Sequence, residues 1–326
     1  MELKKIGWLQ VHAPILCKEE DECVPEGFTT IRPKDESDPD EVRRIIAEAD
    51  YLITADMTAD DFAIAKNLKM IQKWGIGVDR IDLDAAAENN IPVYITSGAN
   101  SIPVAELTVG LMLSAFRRIP YVDKTVREGK WIRKDMRAEC QMLNGKIIGL
   151  LGIGNIAKKV ARIVRGFDPK EIIYYDIRPL SPEQEAELGV HYVNFEDLCR
   201  KADVLSVHVP MMPATKGMIG EEQFDMMKPN MILVNTARGG VINEKALIQA
   251  LKDGKIYGAA LDTFESEPIE KDNPLLTMNN VVLTCHCGGG VVDNAMNVTR
   301  HAYYNIAAFD RGEAPKHPQD VIVPKK

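Results

Sequence analysis

The sequence predicts an α/β protein built on parallel sheets, and three observations carry that reading. Short apolar runs rich in Val, Ile and Leu alternate with longer stretches whose apolar residues recur at helical spacing. The runs do not alternate apolar with polar residues, as expected of parallel strands buried on both faces. A glycine-rich segment, Gly152-Ile153-Gly154-Asn155-Ile156-Ala157, passes from one such run straight into a helical pattern. At roughly 150 residues per domain, the 326 residues suffice for about two domains.

Taken in order, the first hundred residues offer strands at 6–11, 51–54, 70–73 and 92–95. Helical spacing fills 39–49, 58–67 and 81–89 between them, with Asp40 and Thr58 as expected N-caps. The breaker-rich turn Thr96-Ser97-Gly98-Ala99-Asn100 then precedes a long apolar helix over 102–118. Asn100 or Ser101 would cap it, and Pro103 falls in its first turn, where a missing N–H costs nothing. A domain hinge is expected at that turn. Later strands follow at 146–151, 172–176, 204–209, 231–235, 258–262 and 281–284. A second flexible point, Gly288-Gly289-Gly290, introduces a last helix over 292–311.

Lys plus Arg total 40 against 48 Asp plus Glu, a net charge of −8 with no basic run. That balance argues against nucleic acid or an anionic membrane as the main partner. The apolar start of the chain is broken by Gln10, His12 and Pro14, so no signal peptide is expected. The best membrane-span candidate, 102–116, contains Glu106 and is shorter than the ~20 apolar residues a span needs. Six cysteines without a CxxC pair suit a reduced, cytoplasmic protein.

The glycine-rich turn has the spacing of a dinucleotide site. Gly152 permits the tight turn, Gly154 lets backbone approach a pyrophosphate, and Ala157 lets the helix pack closely on the strand. Amides at the helix start, around Asn155 and Ile156, would hold the phosphates. The next strand ends in Asp176, where a carboxylate can bind ribose hydroxyls and would repel a 2′-phosphate. The expected cofactor is therefore NAD, although Arg178 nearby works the other way.

Three later strand ends carry reactive groups: Arg238 after 231–235, Glu265 and Glu267 after 258–262, and His286 after 281–284. In open parallel sheets ligands bind beyond the carboxyl ends of strands, so these loops can share one crevice. Arginine's planar fork matches a carboxylate and polarises a neighbouring carbonyl. Histidine exchanges the proton of a hydroxyl near neutral pH, and an adjacent carboxylate favours its charged form.

With these segments in view, the chain resembles the D-isomer-specific 2-hydroxyacid dehydrogenase family over nearly its whole length. The matching stretches are Gly75-Ile76-Gly77-Val78-Asp79-Arg80-Ile81-Asp82, Val104-Ala105-Glu106, the glycine turn, His208-Val209-Pro210, and the segments around Arg238, Glu267-Pro268 and His286. The resemblance implies two doubly wound parallel-sheet domains: a Rossmann cofactor domain, 100–288, inserted into a flavodoxin-like substrate domain formed by 1–99 and 289–326. It implies Arg238 as substrate anchor and His286 as acid/base. Glu267 becomes the carboxylate partner in preference to Glu265, because the family's glutamate directly precedes proline. Backbone amides at Ile76 and Gly77 are implied to meet the substrate carboxylate. Thr236, Ala237 and Asp262 would border the nicotinamide. His208, Val209, Pro210, Thr215 and Gly288 would line the cofactor groove. A homodimer through the cofactor domain is implied, with 121–143 and its Trp131 as the arm.

The same resemblance implies NAD-dependent exchange between a 2-keto and a 2-hydroxy acid. Phosphoglycerate dehydrogenases of this family often carry an arginine where Lys73 stands. The segment 51–56 offers no second basic residue, and Asp56 would oppose an anion, so a small non-phosphorylated substrate is expected, with phosphohydroxypyruvate second. Related corepressors keep the same three residues, which leaves an NAD-gated binding protein as the alternative of another class. Formate dehydrogenases pair the histidine with Gln, unlike Glu267. Cys285 replaces the family's common proline and gives Cys-His-Cys. In an extended segment residues 285 and 287 would point away from 286, and no metal is expected. His12, His191 and His301 lie outside any motif and read as structural.

Overall fold

The computed structural model describes residues 3–324. The chain divides into two compact units, one formed by Met1–Asn100 with Gly290–Lys326 and one by Ser101–Gly289. The strands of the first unit are β1 (Lys4–Trp8), β2 (Phe28–Ile31), β3 (Tyr51–Ile53), β4 (Asp56–Met57), β5 (Met70–Gln72), β6 (Arg80–Ile81) and β7 (Val93–Tyr94). Those of the second are β8 (Ile147–Leu151), β9 (Glu171–Tyr175), β10 (His191–Tyr192), β11 (Val204–Val207), β12 (Ile232–Asn235), β13 (Gly258–Leu261) and β14 (Val281–Leu283). The chain returns to the first unit with β15 (Val321–Val323).

The second unit is one seven-stranded sheet in the order β10-β9-β8-β11-β12-β13-β14, parallel at every pairing. Its two faces are both covered, which is why the strands read as unbroken apolar runs. Ile148, Leu150, Val204, Ile232, Val234 and Ala260 face Val109, Met112 and Phe116 of helix Ser101–Arg117. Leu151, Leu205, Val207, Leu233 and Leu261 face the layer containing Phe224, Leu247 and Leu251. The strand order reverses between β8 and β11, so a ligand crevice opens at their carboxyl ends.

The first unit has a six-stranded sheet, β15-β7-β5-β3-β1-β2, parallel except where β15 runs against β7. The short pair β4–β6 stands apart from it. Ile6, Trp8, Tyr51, Ile53 and Met70 pack under Ala302, Tyr303 and Ile306 of helix Val292–Asp310. The opposite face, with Leu52, Ile71 and Val93, packs on Ile45, Ile46 and Ala86. The last helix of the chain thus completes a core begun by the first strand. Among the described residues no helix is long and apolar enough to cross a membrane.

Local expectations needed several corrections. The first strand spans Lys4–Trp8 rather than 6–11, because Pro14 starts a helix, Pro14–Glu22, soon afterwards. Asp38, not Asp40, caps helix Pro39–Glu48; its side chain accepts the Asp40 N–H at 2.9 Å. Thr58 is the N-cap of Ala59–Ile64, its N–H and Oγ1 both donating to Asp61 Oδ2 at 2.8 and 2.7 Å. The expected helix 81–89 shortens to Leu83–Glu88, its start taken by β6.

The C-terminal segment is held by one buried carboxylate. Asp320 accepts the Ser97 N–H on Oδ1 at 2.9 Å, and on Oδ2 hydrogen bonds from His301 Nε2 at 2.7 Å and Asn305 Nδ2 at 3.2 Å. Burial works against its charge, yet these donors outweigh it and hold the Asp320 pKa below the usual range. Its stabilising effect is therefore present above a pH of about 4 and lost as pH falls through the depressed value. Removing the acceptor strands several buried donors. Asp320→Ala should cost about 3–5 kcal/mol, read as a lower urea midpoint at unchanged slope.

Candidate active site

The second unit brings most of the expected residues to the carboxyl end of its sheet. Gly152 follows β8 with φ +93°, and a Cβ there would sit 3.0 Å from the His208 carbonyl carbon. Only glycine fits both the left-handed backbone and the approach of the loop after β11. Around Gly154, by contrast, a Cβ would meet nothing within 4 Å, so backbone is open to a ligand. Gly154 caps helix Asn155–Val164, whose first amides, with the positive end of the helix dipole, face that opening.

Asp176 is folded back over the turn. Its Oδ2 accepts the Ile153 N–H at 2.8 Å and its Oδ1 the Arg178 N–H at 2.9 Å, which leaves further lone pairs on each oxygen. An open glycine turn, a helix start and a fixed carboxylate fit a dinucleotide with a free ribose diol. Across the crevice, burial pushes the His208 pKa down to about 3, so its neutral ring hydrogen-bonds Ser206 Oγ at 2.9 Å. Thr215 ties its loop through Oγ1 to the Pro210 carbonyl at 2.6 Å.

The loop after β12 is shaped by Asn235, which sequence reasoning missed. Its buried side chain accepts the Ala237 N–H at 3.0 Å and donates to the Arg238 carbonyl at 2.9 Å. The signal was a single polar residue closing the run Met231-Ile232-Leu233-Val234. Thr236 is anchored by a 2.8 Å hydrogen bond to Thr108 of the long helix. Gly239 lies so close to the next loop that a Cβ would fall 1.9 Å from the Phe264 carbonyl carbon. The Arg238 and Glu267 loops therefore share one position.

Glu267 and His286 meet. Glu267 Oε2 lies 2.7 Å from His286 Nδ1, while Oε1 accepts the Phe264 N–H at 3.0 Å. Glu265 makes no contact with His286 among the described residues, and its backbone N–H donates to Glu244 Oε2 at 3.3 Å. The Glu267–Pro268 bond is cis. A carboxylate only accepts, so the ring proton sits on Nδ1 and Nε2 is left for a ligand.

Asp262, expected beside a nicotinamide, organises the histidine loop. It is 1% exposed, and its carboxylate accepts Thr284 Oγ1 at 2.6 Å, the Cys287 N–H at 3.0 Å and the Gly288 N–H at 3.0 Å. Its carbonyl accepts the His286 N–H at 2.8 Å. His286 itself takes φ +53°, so the expected extended alternation of residues 285 to 287 fails. Burial first, and Asp262 second, push the Cys287 thiol pKa up, which keeps it a thiol near neutral pH.

In the first unit, Lys73 donates its N–H to the Tyr94 carbonyl at 2.7 Å. Gly75 turns at φ +114° with its N–H on Thr96 Oγ1. The N–H groups of Ile76 and Gly77 have no acceptor among the described residues. Asp56 was expected to repel an anion, but Arg80 pairs with it at 2.7 Å. That arginine comes from β6, beside β4, and so supplies the basic group missing from 51–56.

Residues 109–288 match the family described as D-isomer specific 2-hydroxyacid dehydrogenase, NAD binding domain. The chain is 46% identical over 254 residues to a D-3-phosphoglycerate dehydrogenase of Methanocaldococcus jannaschii, covering 76% of this chain and 47% of that one. It thus spans about half the length of that relative. It is 40% identical over 259 residues to a hydroxypyruvate reductase of Thermotoga maritima, covering 78% and 82% of the two chains. A solved structure of apo D-mandelate dehydrogenase from Rhodotorula graminis superposes with a TM-score of 0.84 at 30% identity and covers 99% of both. The chain therefore belongs to the D-isomer-specific 2-hydroxyacid dehydrogenase family.

Proposed function

We propose that the protein is an NAD(H)-dependent 2-keto acid reductase and D-2-hydroxyacid dehydrogenase. The observation that carries this reading is the 2.7 Å pair of His286 and Glu267, set at strand ends in the same unit as an open dinucleotide turn. Bound NADH supplies a hydride for the carbonyl carbon. In the reducing direction His286, with Nδ1–H held on Glu267, carries a second proton on Nε2 and delivers it to the carbonyl oxygen, leaving the neutral ring; in the reverse reaction that neutral ring takes the hydroxyl proton back on Nε2. Arg238 binds the substrate carboxylate and draws charge toward the carbonyl oxygen. In the first unit the amides of Ile76 and Gly77 are assigned to a carboxylate, and Lys73 to a more distal group.

A small, non-phosphorylated 2-keto acid is the preferred substrate. Phosphohydroxypyruvate is the second reading, supported by the 46% identity to a phosphoglycerate dehydrogenase and by Arg80 near Asp56. Six free cysteines suit the reducing cytoplasm. We assign the arm 121–143 to a homodimer contact. Trp131 is 79% exposed there, beside a hollow of about 900 Å³ lined by Val122, Val126, Met136 and Met142.

Replacing His286 by Asn should lower kcat by about 10²–10⁴ with any 2-keto acid while NADH binding by fluorescence titration persists. Retention of wild-type kcat would remove the histidine from the chemistry. NADH should be preferred to NADPH, and Asp176→Ala should narrow the ratio of their kcat/KM values. Equal wild-type use of both cofactors would contradict the role given to Asp176. Across glyoxylate, hydroxypyruvate, pyruvate and phosphohydroxypyruvate, a kcat/KM highest for the phosphorylated acid and lost in Lys73→Ala would establish the second reading.

A further inference from the structure

The first unit contains another histidine–carboxylate pair, for which the assignments above have no task. His12 lies in the loop between β1 and helix Pro14–Glu22, and its Nδ1 is 2.6 Å from Glu20 Oε1. Glu20 is 1% exposed, and its second oxygen accepts Arg32 Nη2 at 3.1 Å. Arg32 is itself paired with Asp21 and lies over the Trp8 ring. A buried carboxylate needs donors, so the proton on the His12 ring that faces Glu20 is fixed on Nδ1.

The other ring nitrogen is left over. Nε2 has no hydrogen-bond partner among the described residues and is not among the sealed, unpartnered polar atoms, and the side chain keeps 19% exposure. The ring is wedged between Trp8 and Trp74, with centroids 5.4 and 5.0 Å away. Trp74 is fixed in turn by its Nε1–H on Thr299 Oγ1 at 3.1 Å. A purely structural histidine would bury or pair Nε2; this one is clamped on three sides with that atom open.

Its place in the sheet gives the open nitrogen a use. The parallel strands of this unit run in the order β7-β5-β3-β1-β2, and the order turns between β1 and β3. A ligand of such a sheet sits at the carboxyl ends there. His12 follows β1, and Trp74 leads from β5 into Gly75-Ile76-Gly77, whose last two amides are unpaired. We propose that His12 is a specificity-determining residue whose Nε2 binds a hydroxyl on the third carbon of a 2-keto or 2-hydroxy acid held by the Ile76 and Gly77 amides. This rests on the substrate reading above. A hydroxyl both donates and accepts, so it satisfies Nε2 in either protonation state, whereas a phosphate only accepts. The flanking carboxylates of Glu20 and Asp21 also offset Arg32 and the ring, which leaves no surplus charge for a phosphate.

Calorimetry with saturating NADH, which prevents turnover of a hydroxy acid, separates the possibilities. The wild type should bind D-glycerate about tenfold more tightly than D-lactate, which differs by that hydroxyl. His12→Phe, which keeps the ring packing, should reduce the preference to within about twofold. His12→Gln, which returns a polar atom near Nε2, should restore most of it. Equal wild-type affinities, equal losses on both acids in His12→Phe, or tighter binding of D-3-phosphoglycerate than of D-glycerate would each overturn the proposal. If His12→Phe does not fold, the wild-type preference and the Gln variant decide. Hydroxypyruvate and pyruvate reduction are measured in parallel. A binding preference without turnover sinks the dehydrogenase reading and leaves His12, and turnover without the preference does the reverse.

Discussion

Burying the Asp262 carboxylate is the constraint on which the second unit's chemistry depends. An unpaired charge at that depth costs several kcal/mol, and it is tolerable because the chain after β14 wraps its donors around it. Thr284, Cys287 and Gly288 all donate to it, and the residue they enclose is His286. The histidine's left-handed backbone, costly for a residue with a Cβ, is over-determined by the bonds on either side. Strand register carries the order further. Asn235 pairs with Leu261 and Leu261 with Leu283, so the three loops leave the sheet at one level.

The first unit uses the same device twice. Glu20 is satisfied by His12 and Arg32, and Asp320 by Ser97, His301 and Asn305. In each case a buried carboxylate gathers donors from separate elements and gives a segment one conformation rather than several. Fully satisfied networks of this kind rigidify what they touch, because any displaced donor loses its partner in a poorly solvating interior. Trp8 and Trp74 pack against the His12 ring, and the Trp8 Nε1–H donates to Tyr303 Oη at 3.1 Å.

The large features were legible because they repeat. Unbroken apolar runs marked the strands of both sheets, and the glycine spacing after β8 located the dinucleotide turn. Proline after Glu267 singled it out from Glu265, and the 2.7 Å contact with His286 agrees. What escaped has no periodicity. Strands such as β4, β6, β10 and β15 are two or three residues long, and the antiparallel β15 pairs across more than two hundred residues. The left-handed turn at His286 lacks the glycine that would announce it. Asp56 looked like an isolated negative charge because Arg80 reaches it only through the β4–β6 pairing. His12 and His301 looked alike from sequence, yet His301 is buried at 2% exposure against Asp320, whereas the His12 side chain keeps 19%.

Helix Val292–Asp310 has a consequence for biogenesis. Ile6, Trp8 and Tyr51 are synthesised before the second unit, and the helix that shields them only after it. The continuous stretch Ser101–Gly289 can complete its own sheet as it leaves the ribosome, while the earlier sheet keeps an apolar face uncovered. At about 5–20 residues per second that face waits on the order of ten to forty seconds. The order of translation is therefore opposite to the order in which the two units can finish folding, and the nascent chain is most open to chaperone capture through its first strands.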